Sequence, residues 1–216
     1  MKINEIFGKN IISGEGVFAG QPTTFIRTFG CIAPFCEFCD TKYSWKTPHK
    51  ESHNMHIDNI IKQVKQYNNK LIIITGGEPY VQKDVYLLIN KLLNLNYNVQ
   101  METSGKSQIL SKKHKNFKII MSPKQYNNKF IIYDKKTLKK ADYYKFVVST
   151  QNELSNILDF IKLHNLPKNK IYLMAKGATR KEQIKNSKNV VKWCYENQLM
   201  YSPRLHVLLY DNMRGV

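Results

Sequence analysis

The 216-residue chain carries 34 Lys+Arg against 16 Asp+Glu, a formal net charge of +18, with 42% hydrophobic and 23% charged residues. That length suits a single domain over residues 1–216, able to bury a continuous core without disulfide staples, and the composition excludes a disordered or fibrous chain. No apolar run approaches the roughly 20 residues that cross a bilayer. The opening MKINEIFGKNIISGEG lacks an apolar signal core, so the expectation is a soluble, cytoplasmic protein with no membrane partner. A positive excess attracts nucleic acid or acidic proteins. Much of it is scattered in Lys–Asn stretches such as Lys112-Lys113-His114-Lys115-Asn116, which read as solvated surface, and no nucleic acid is required.

In chain order, residues 24–27 read as a strand, followed by a cysteine loop at 28–45. Residues 57–67 have helical spacing at Ile57, Ile60, Ile61 and Val64; 71–74 form a short buried strand ending at Gly76-Gly77; 85–93 form a core helix. Strand-like runs follow at 98–102, 117–121, 144–148 and 171–175, with helices at 153–163 and 180–197 and a final strand at 205–210. Alternating strands and helices predict a parallel α/β sheet. A complete eightfold barrel takes about 250 residues, so a shortened, partly open barrel suits this chain better. Cys194, mid-helix between Trp193 and Tyr195, reads as a packed core thiol.

Three of the four cysteines fall within nine residues, in Cys31-Ile-Ala-Pro-Phe-Cys36-Glu-Phe-Cys39-Asp-Thr. In a chain without a secretory signal, clustered thiols bind metal more often than they pair. They follow a strand, and the C-terminal ends of strands are where α/β sheets place ligands. Three thiolates can hold three irons of a 4Fe–4S cubane and leave the fourth open. The amino and carboxylate groups of S-adenosylmethionine can chelate that iron; one-electron transfer to the sulfonium then breaks its bond to the adenosyl carbon and leaves a primary carbon radical. The rival reading is a tetrahedral zinc site of Cys36, Cys39, His49 and His53. Its nine-residue gap from Cys39 to His49 is shorter than the usual twelve or so of a nucleic-acid-binding finger, and it gives Cys31 no role. Spacing alone leaves both open.

Further segments narrow the choice: Ser13-Gly14-Glu15-Gly16, Gly20-Gln21-Pro22-Thr23-Thr24-Phe25-Ile26-Arg27, Asp40-Thr41-Lys42-Tyr43-Ser44-Trp45, Thr75-Gly76-Gly77-Glu78-Pro79, Glu102-Thr103-Ser104-Gly105, Ser122-Pro123-Lys124 and Pro203-Arg204-Leu205-His206-Val207. Together with the cysteine loop they resemble, in order and over nearly the whole chain, the 7-carboxy-7-deazaguanine synthases of the radical S-adenosylmethionine superfamily. The resemblance implies an incomplete, modified TIM-like barrel of the radical SAM type, a homodimer, and a carbon–nitrogen lyase. That lyase would convert 6-carboxy-5,6,7,8-tetrahydropterin to 7-carboxy-7-deazaguanine with loss of ammonia, toward 7-deazapurines including queuosine. The adenosyl radical would take hydrogen from carbon 6 of the pterin and later return it.

Carried onto this sequence, the resemblance assigns Cys31, Cys36 and Cys39 to the 4Fe–4S cluster and Thr41 to Mg²⁺. It implies that Phe38 packs near the adenine of S-adenosylmethionine. Gly76, Gly77 and Glu78 would lie by the methionine end of that cofactor, and Glu102, Ser104, Ser122 and Lys124 by its ribose. Ser13, Glu15, Arg27, His206 and Val216 would meet the pterin, the forked Arg27 cation matching its carboxylate. Asp40 would support the loop, and the basic surface would receive a flavodoxin-type reductant. Four features depart from the family pattern: the four-residue interval from Cys31 to Cys36 where three is common, Ser13 where Gln is frequent, Lys106, and Ala175-Lys176-Gly177. Two other functions compete, a radical activase acting on a partner protein and a zinc-dependent nucleic-acid-binding module.

Overall fold

β-Branched and apolar runs become strands in the computed structural model, which describes residues 1–46, 52–110 and 114–215. The first six strands are β1 (Lys2–Phe7), β2 (Thr23–Thr28), β3 (His53–Asn54), β4 (Leu71–Gly76), β5 (Asn98–Thr103) and β6 (Phe117–Met121). A hairpin of β7 (Lys124–Tyr126) and β8 (Lys129–Ile131) stands apart, before β9 (Tyr143–Val148), β10 (Ile171–Ala175) and β11 (Met200–Ser202). One sheet of nine strands runs in the order β11-β10-β9-β6-β5-β4-β2-β1-β3. It is parallel from β2 to β11, while β1 lies antiparallel on β2 and β3 antiparallel on β1. The parallel sheet expected from the alternating pattern is therefore present, with antiparallel strands added at one edge. Its order ends at β3 and β11, which leaves a barrel that does not close among the described residues.

The helices are α1 (Ile57–Val64), α2 (Val85–Asn94), α3 (Lys135–Leu138), α4 (Gln151–His164), α5 (Arg180–Asn197) and α6 (Leu205–Tyr210). Thr150 and Thr179 start α4 and α5 with capping boxes completed by Glu153 and Glu182. Asn165 and Gln198 end these helices in the left-handed conformation. α1 stops at Val64, short of the expected Tyr67, because Gln66 and Tyr67 donate to carbonyls three residues back and tighten into a turn. None of the described helices is long and apolar enough to cross a membrane.

Side chains alternate across the strands and divide the sheet into two faces. Ile72, Ile74, Met101, Phe146 and Leu173 point to the helices and join Ile60, Leu88, Leu92, Ile157 and Val190 in the core. Ile73, Gln100, Glu102, Lys145, Val147 and Met174 point the other way, into a cavity. Cys194 lies in the core as expected, 5% exposed, its Sγ donating to the Met200 carbonyl at 3.4 Å.

The final element corrects the sequence reading. Residues 205–210 form α6, not a strand, and the edge strand is the earlier β11, which pairs with β10. LHVLLY is short and apolar, and such a run satisfies either period. Its surroundings decide: the Leu205 N–H bonds the Gly14 carbonyl at 2.9 Å, and Arg180 donates to the carbonyls of Leu208 and Leu209, each at 2.7 Å, filling acceptors at the helix end. β1, which the sequence reading did not identify, carries a register shift between Ile3 and Glu5. That irregularity breaks the alternation by which a strand is recognised.

Candidate active site

A cavity of about 780 Å³ opens where β2, β4, β5, β6, β9 and β10 end. β2 and β4 run in register, Thr28 beside Gly76, and deliver the cysteine loop and the Gly-Gly turn to one place. Gly76 has φ +130°, and a side chain there would run into the Thr28 backbone. A Cβ on Gly77 would strike the Gly30 carbonyl and lie 3.0 Å from Cys31 Cβ. The two glycines thus let β4 close against the start of the cysteine loop, where Glu78 N–H bonds the Gly30 carbonyl at 2.7 Å.

Cys31, Cys36 and Cys39 are half-buried free thiols on this wall. The Cys39 N–H bonds the Cys36 carbonyl at 3.2 Å, Trp45 Nε1 donates to Cys39 Sγ at 3.3 Å, and Thr41 Oγ1 stands 3.7 Å from the same sulfur. Phe35 stacks on Trp45 with centroids 4.2 Å apart. Lys106 Nζ donates to the carbonyls of Ile32 at 2.6 Å and Pro34 at 2.9 Å. Burial pushes the Cys31 thiol up, with the Lys106 ammonium opposing it. Phe38 is 40% exposed, and Lys176 Nζ lies 4.8 Å from its ring centroid.

The facing wall is a chain of ion pairs. Lys145 Nζ bridges Glu15 Oε2 at 2.7 Å and Glu102 Oε2 at 2.9 Å. Arg204 Nε donates to Glu15 Oε1 at 2.9 Å, its Nη1 to the Gly177 carbonyl at 2.6 Å, and its Nη2 to Asp40. His206 Nε2 lies 3.8 Å from Glu15 Oε1. Burial alone would raise the Glu15 carboxyl, but Lys145, Arg204 and His206 outweigh it and hold it well below the usual 4.5. Burial likewise opposes the charge on Lys145, and its two carboxylate partners hold it above the ordinary lysine value. Burial pulls His206 below 6.5, opposed by the Glu15 carboxylate and aided by Arg204.

Between the walls, Lys124 Nζ donates to Ser122 Oγ, and burial lowers the lysine below 10.5. Ser13 is buried, with Oγ donating to the Glu15 carbonyl at 3.3 Å. At the mouth, Arg27 Nε donates to Glu5 Oε1 at 2.6 Å. Tyr43 donates to the same oxygen at 3.1 Å, and the Arg214 guanidinium covers the Tyr43 ring at 3.7 Å. Burial first, and Glu5 after it, push the Tyr43 phenol up to about 12 against the two arginines.

All but two of the residues that the resemblance assigns to metal, cofactor or pterin line this one cavity. Glu78 is fully buried beside it; its carboxylate accepts from Tyr80 N at 3.3 Å, Thr103 Oγ1 at 2.8 Å, Ser104 N at 2.9 Å and Ser104 Oγ at 2.5 Å. It holds the end of β5, and with it Ser104, in the wall. Val216 lies outside the described residues, as does His49 of the zinc reading, while His53 is exposed on β3. The sequence reading gave no site role to Lys145 or Arg204. A signal for Lys145 was present: a lysine inside the apolar run YYKFVV marks a strand face that is not core.

The donor set fits an iron–sulfur cubane, which takes one thiolate per iron and so spreads its ligands. A single zinc ion needs every donor within about 2.0–2.3 Å of one point, and no three His, Cys, Asp or Glu among the described residues are grouped to hold one.

Fold and site together define a radical S-adenosylmethionine enzyme, whose cofactors are a 4Fe–4S cluster and S-adenosylmethionine. Residues 25–147, more than half of the chain, match the model of the Radical SAM superfamily. The 7-carboxy-7-deazaguanine synthase of Thermoplasma acidophilum is 30% identical over the full length of both chains, and that of Hyperthermus butylicus is 25% identical over 97% of this chain and 92% of its own. The chain belongs to the 7-carboxy-7-deazaguanine synthase family. Its fold is that of the crystal structure of QueE from Escherichia coli, with a TM-score of 0.75 at 23% identity, covering 95% of this chain and 94% of that one. Streptococcus suis SuiB bound to S-adenosylmethionine has a TM-score of 0.55 at 14% identity over 81% of this chain and 48% of its own. Near full-length relatives of this one kind leave neither the zinc module nor the activase with support.

Proposed function

We propose that this chain is a lyase that converts 6-carboxy-5,6,7,8-tetrahydropterin to 7-carboxy-7-deazaguanine with release of ammonia, supplying 7-deazapurine and queuosine synthesis in the cytoplasm. One observation carries the reading: a single cavity has three thiols on one wall and a paired acid–base chain on the other. When bound, the cluster and S-adenosylmethionine supply one-electron cleavage and a carbon radical able to remove hydrogen.

The protein's own groups do the rest. Arg27 is held through Nε by Glu5, which leaves its remaining guanidinium N–H groups to bind the pterin carboxylate. Glu15 is kept ionised, and a carboxylate with about four lone-pair sites can accept from the N–H edge of the pterin while retaining Lys145 and Arg204. His206, its pKa lowered by burial, offers ring nitrogens to hydrogen-bond the same ligand. Glu102, Ser104, Ser122 and Lys124 present polar groups for ribose hydroxyls, and Phe38 offers an aromatic face to adenine. The Thr41 hydroxyl lies beside Cys39 in the cavity, and it would serve Mg²⁺ together with substrate oxygens. The net charge of +18 suits an acidic, flavodoxin-type reductant, and the resemblance supports a homodimer.

The deciding experiment is anaerobic reconstitution with iron and sulfide, then incubation with S-adenosylmethionine, Mg²⁺, a reductant and the carboxypterin. Mass spectrometry should find the deazapurine product, with turnover falling when Mg²⁺ is withheld. Cofactor cleavage with the pterin recovered intact would refute this substrate.

A further inference from the structure

The geometry points to Lys106 as a positioning residue that shapes the Cys31–Cys36 interval and holds a positive charge beside the iron–sulfur cluster, raising its reduction potential. Four residues separate the first two thiols, and the loop they form is tied from across the fold. Lys106 is 74 residues from Ile32 and 72 from Pro34 in sequence, yet its ammonium binds both carbonyls, at 2.6 and 2.9 Å. Two carbonyls drawn to one cation fix the path of the chain between the thiols more tightly than a single hydrogen bond would.

The charge is as telling as the tie. Lys106 is only 8% exposed and lines the cavity with the three thiols, yet it forms no ion pair among the described residues. Buried lysines are ordinarily matched by a carboxylate. Here neutral carbonyls hold the ammonium, and its positive charge is left to act on its surroundings. A cubane bound by three thiolates is anionic and gains a further negative charge on reduction. A fixed cation in a low-dielectric wall therefore favours the reduced state, and net charge and hydrogen bonding are the protein's levers on cluster potential.

Lys106→Gln separates charge from contact, since the neutral amide keeps two N–H donors. Lys106→Met removes both, and Lys106→Arg keeps both. Each is reconstituted anaerobically beside wild type, iron per chain is counted, and the midpoint potential is read by redox titration followed by electron paramagnetic resonance. The Gln variant is expected to keep its iron at a more negative potential. The Met variant should show the same shift with less iron, and the Arg variant should match wild type. Iron loss in the Gln variant, a wild-type potential in it, or equal iron loss in all three would overturn the role.

Discussion

On the cysteine wall of the cavity, order rests on a few ties: within the loop, Trp45 on Cys39 Sγ and the Ser44 carbonyl taking the Gly30 N–H at 2.8 Å, and from outside it, Lys106 on two carbonyls and Arg204 on Asp40. The opposite wall is a chain of paired charges that ends on Asp40 of the cysteine loop. Glu102, Lys145, Glu15, Arg204 and Asp40 alternate in sign and bond in series, so each charge is compensated by its neighbours. The contrast separates two jobs that active sites often merge. One wall is chemically reactive and adds little to the stability of the chain. The other is electrostatically complete, and removing one of its inner members, Lys145, Glu15 or Arg204, takes a partner from two neighbours at once.

The sharpest way to break this contrast is Cys39→Ala. Reconstituted protein should carry no site-bound cubane by iron and sulfide analysis and should lose turnover. Its unfolding free energy should change by no more than about 0.5 kcal/mol, since the thiol is half-buried on a loop. A variant that fails to fold would show that the cysteine wall is structural after all.

Lys145→Met should behave in the opposite way. It removes the cation shared by two carboxylates, leaving Glu15 to Arg204 and Glu102 to the Gln100 amide, and should cost about 3–5 kcal/mol in urea unfolding. The pH dependence follows from the two shifts. Glu15, depressed in the folded state, contributes fully above 4.5 and loses that contribution as pH falls through its lower folded value. Lys145, elevated, contributes fully below 10.5 and loses it as pH rises through its higher folded value. Unfolding curves of the variant should lose part of both the acid and the alkaline limb; unchanged limbs would mean that the charges are not coupled.

Glu78→Gln tests the buried support between the walls. The new amide presents N–H groups where Ser104 N–H needs an acceptor, and an unsatisfied buried donor costs about 1–3 kcal/mol. Calorimetry should find that loss together with weaker S-adenosylmethionine binding. The smallest effect concerns Cys194. Burial pushes its thiol up to about 11, so a thiol-alkylating reagent should label the three loop cysteines of the native apo chain and spare Cys194 until denaturant is added, as mass mapping will report.

The same contrast explains what could be read from sequence. The strands at Phe117–Met121 and Ile171–Ala175 and the helix at Arg180–Asn197 match their expected bounds because apolar period and caps agree there. The cysteine wall was legible because its three thiols lie in one short segment. Of the opposite wall, Glu15, Glu102 and His206 were singled out by their motifs, but the bonds that assemble it were not legible, because they join residues far apart: Lys145 is 130 positions from Glu15, and Arg204 is 189. The apolar run around Lys145 marks its strand face without naming Glu15 as its partner. Lys106 was visible only as an unusual residue until the fold brought it to the Ile32 and Pro34 carbonyls.

From β2 to β11, each strand of the main sheet lies beside the one made just before it, apart from the small β7–β8 hairpin and the two-residue β3, which returns to pair with β1. During synthesis the sheet can therefore grow from one edge as chain emerges, with no early strand waiting for a distant late one. The cysteines leave the ribosome soon after β2, whereas Lys145 and Arg204 come more than a hundred residues later. The cysteine loop is thus made well before the strand that carries Lys145 and the segment that carries Arg204.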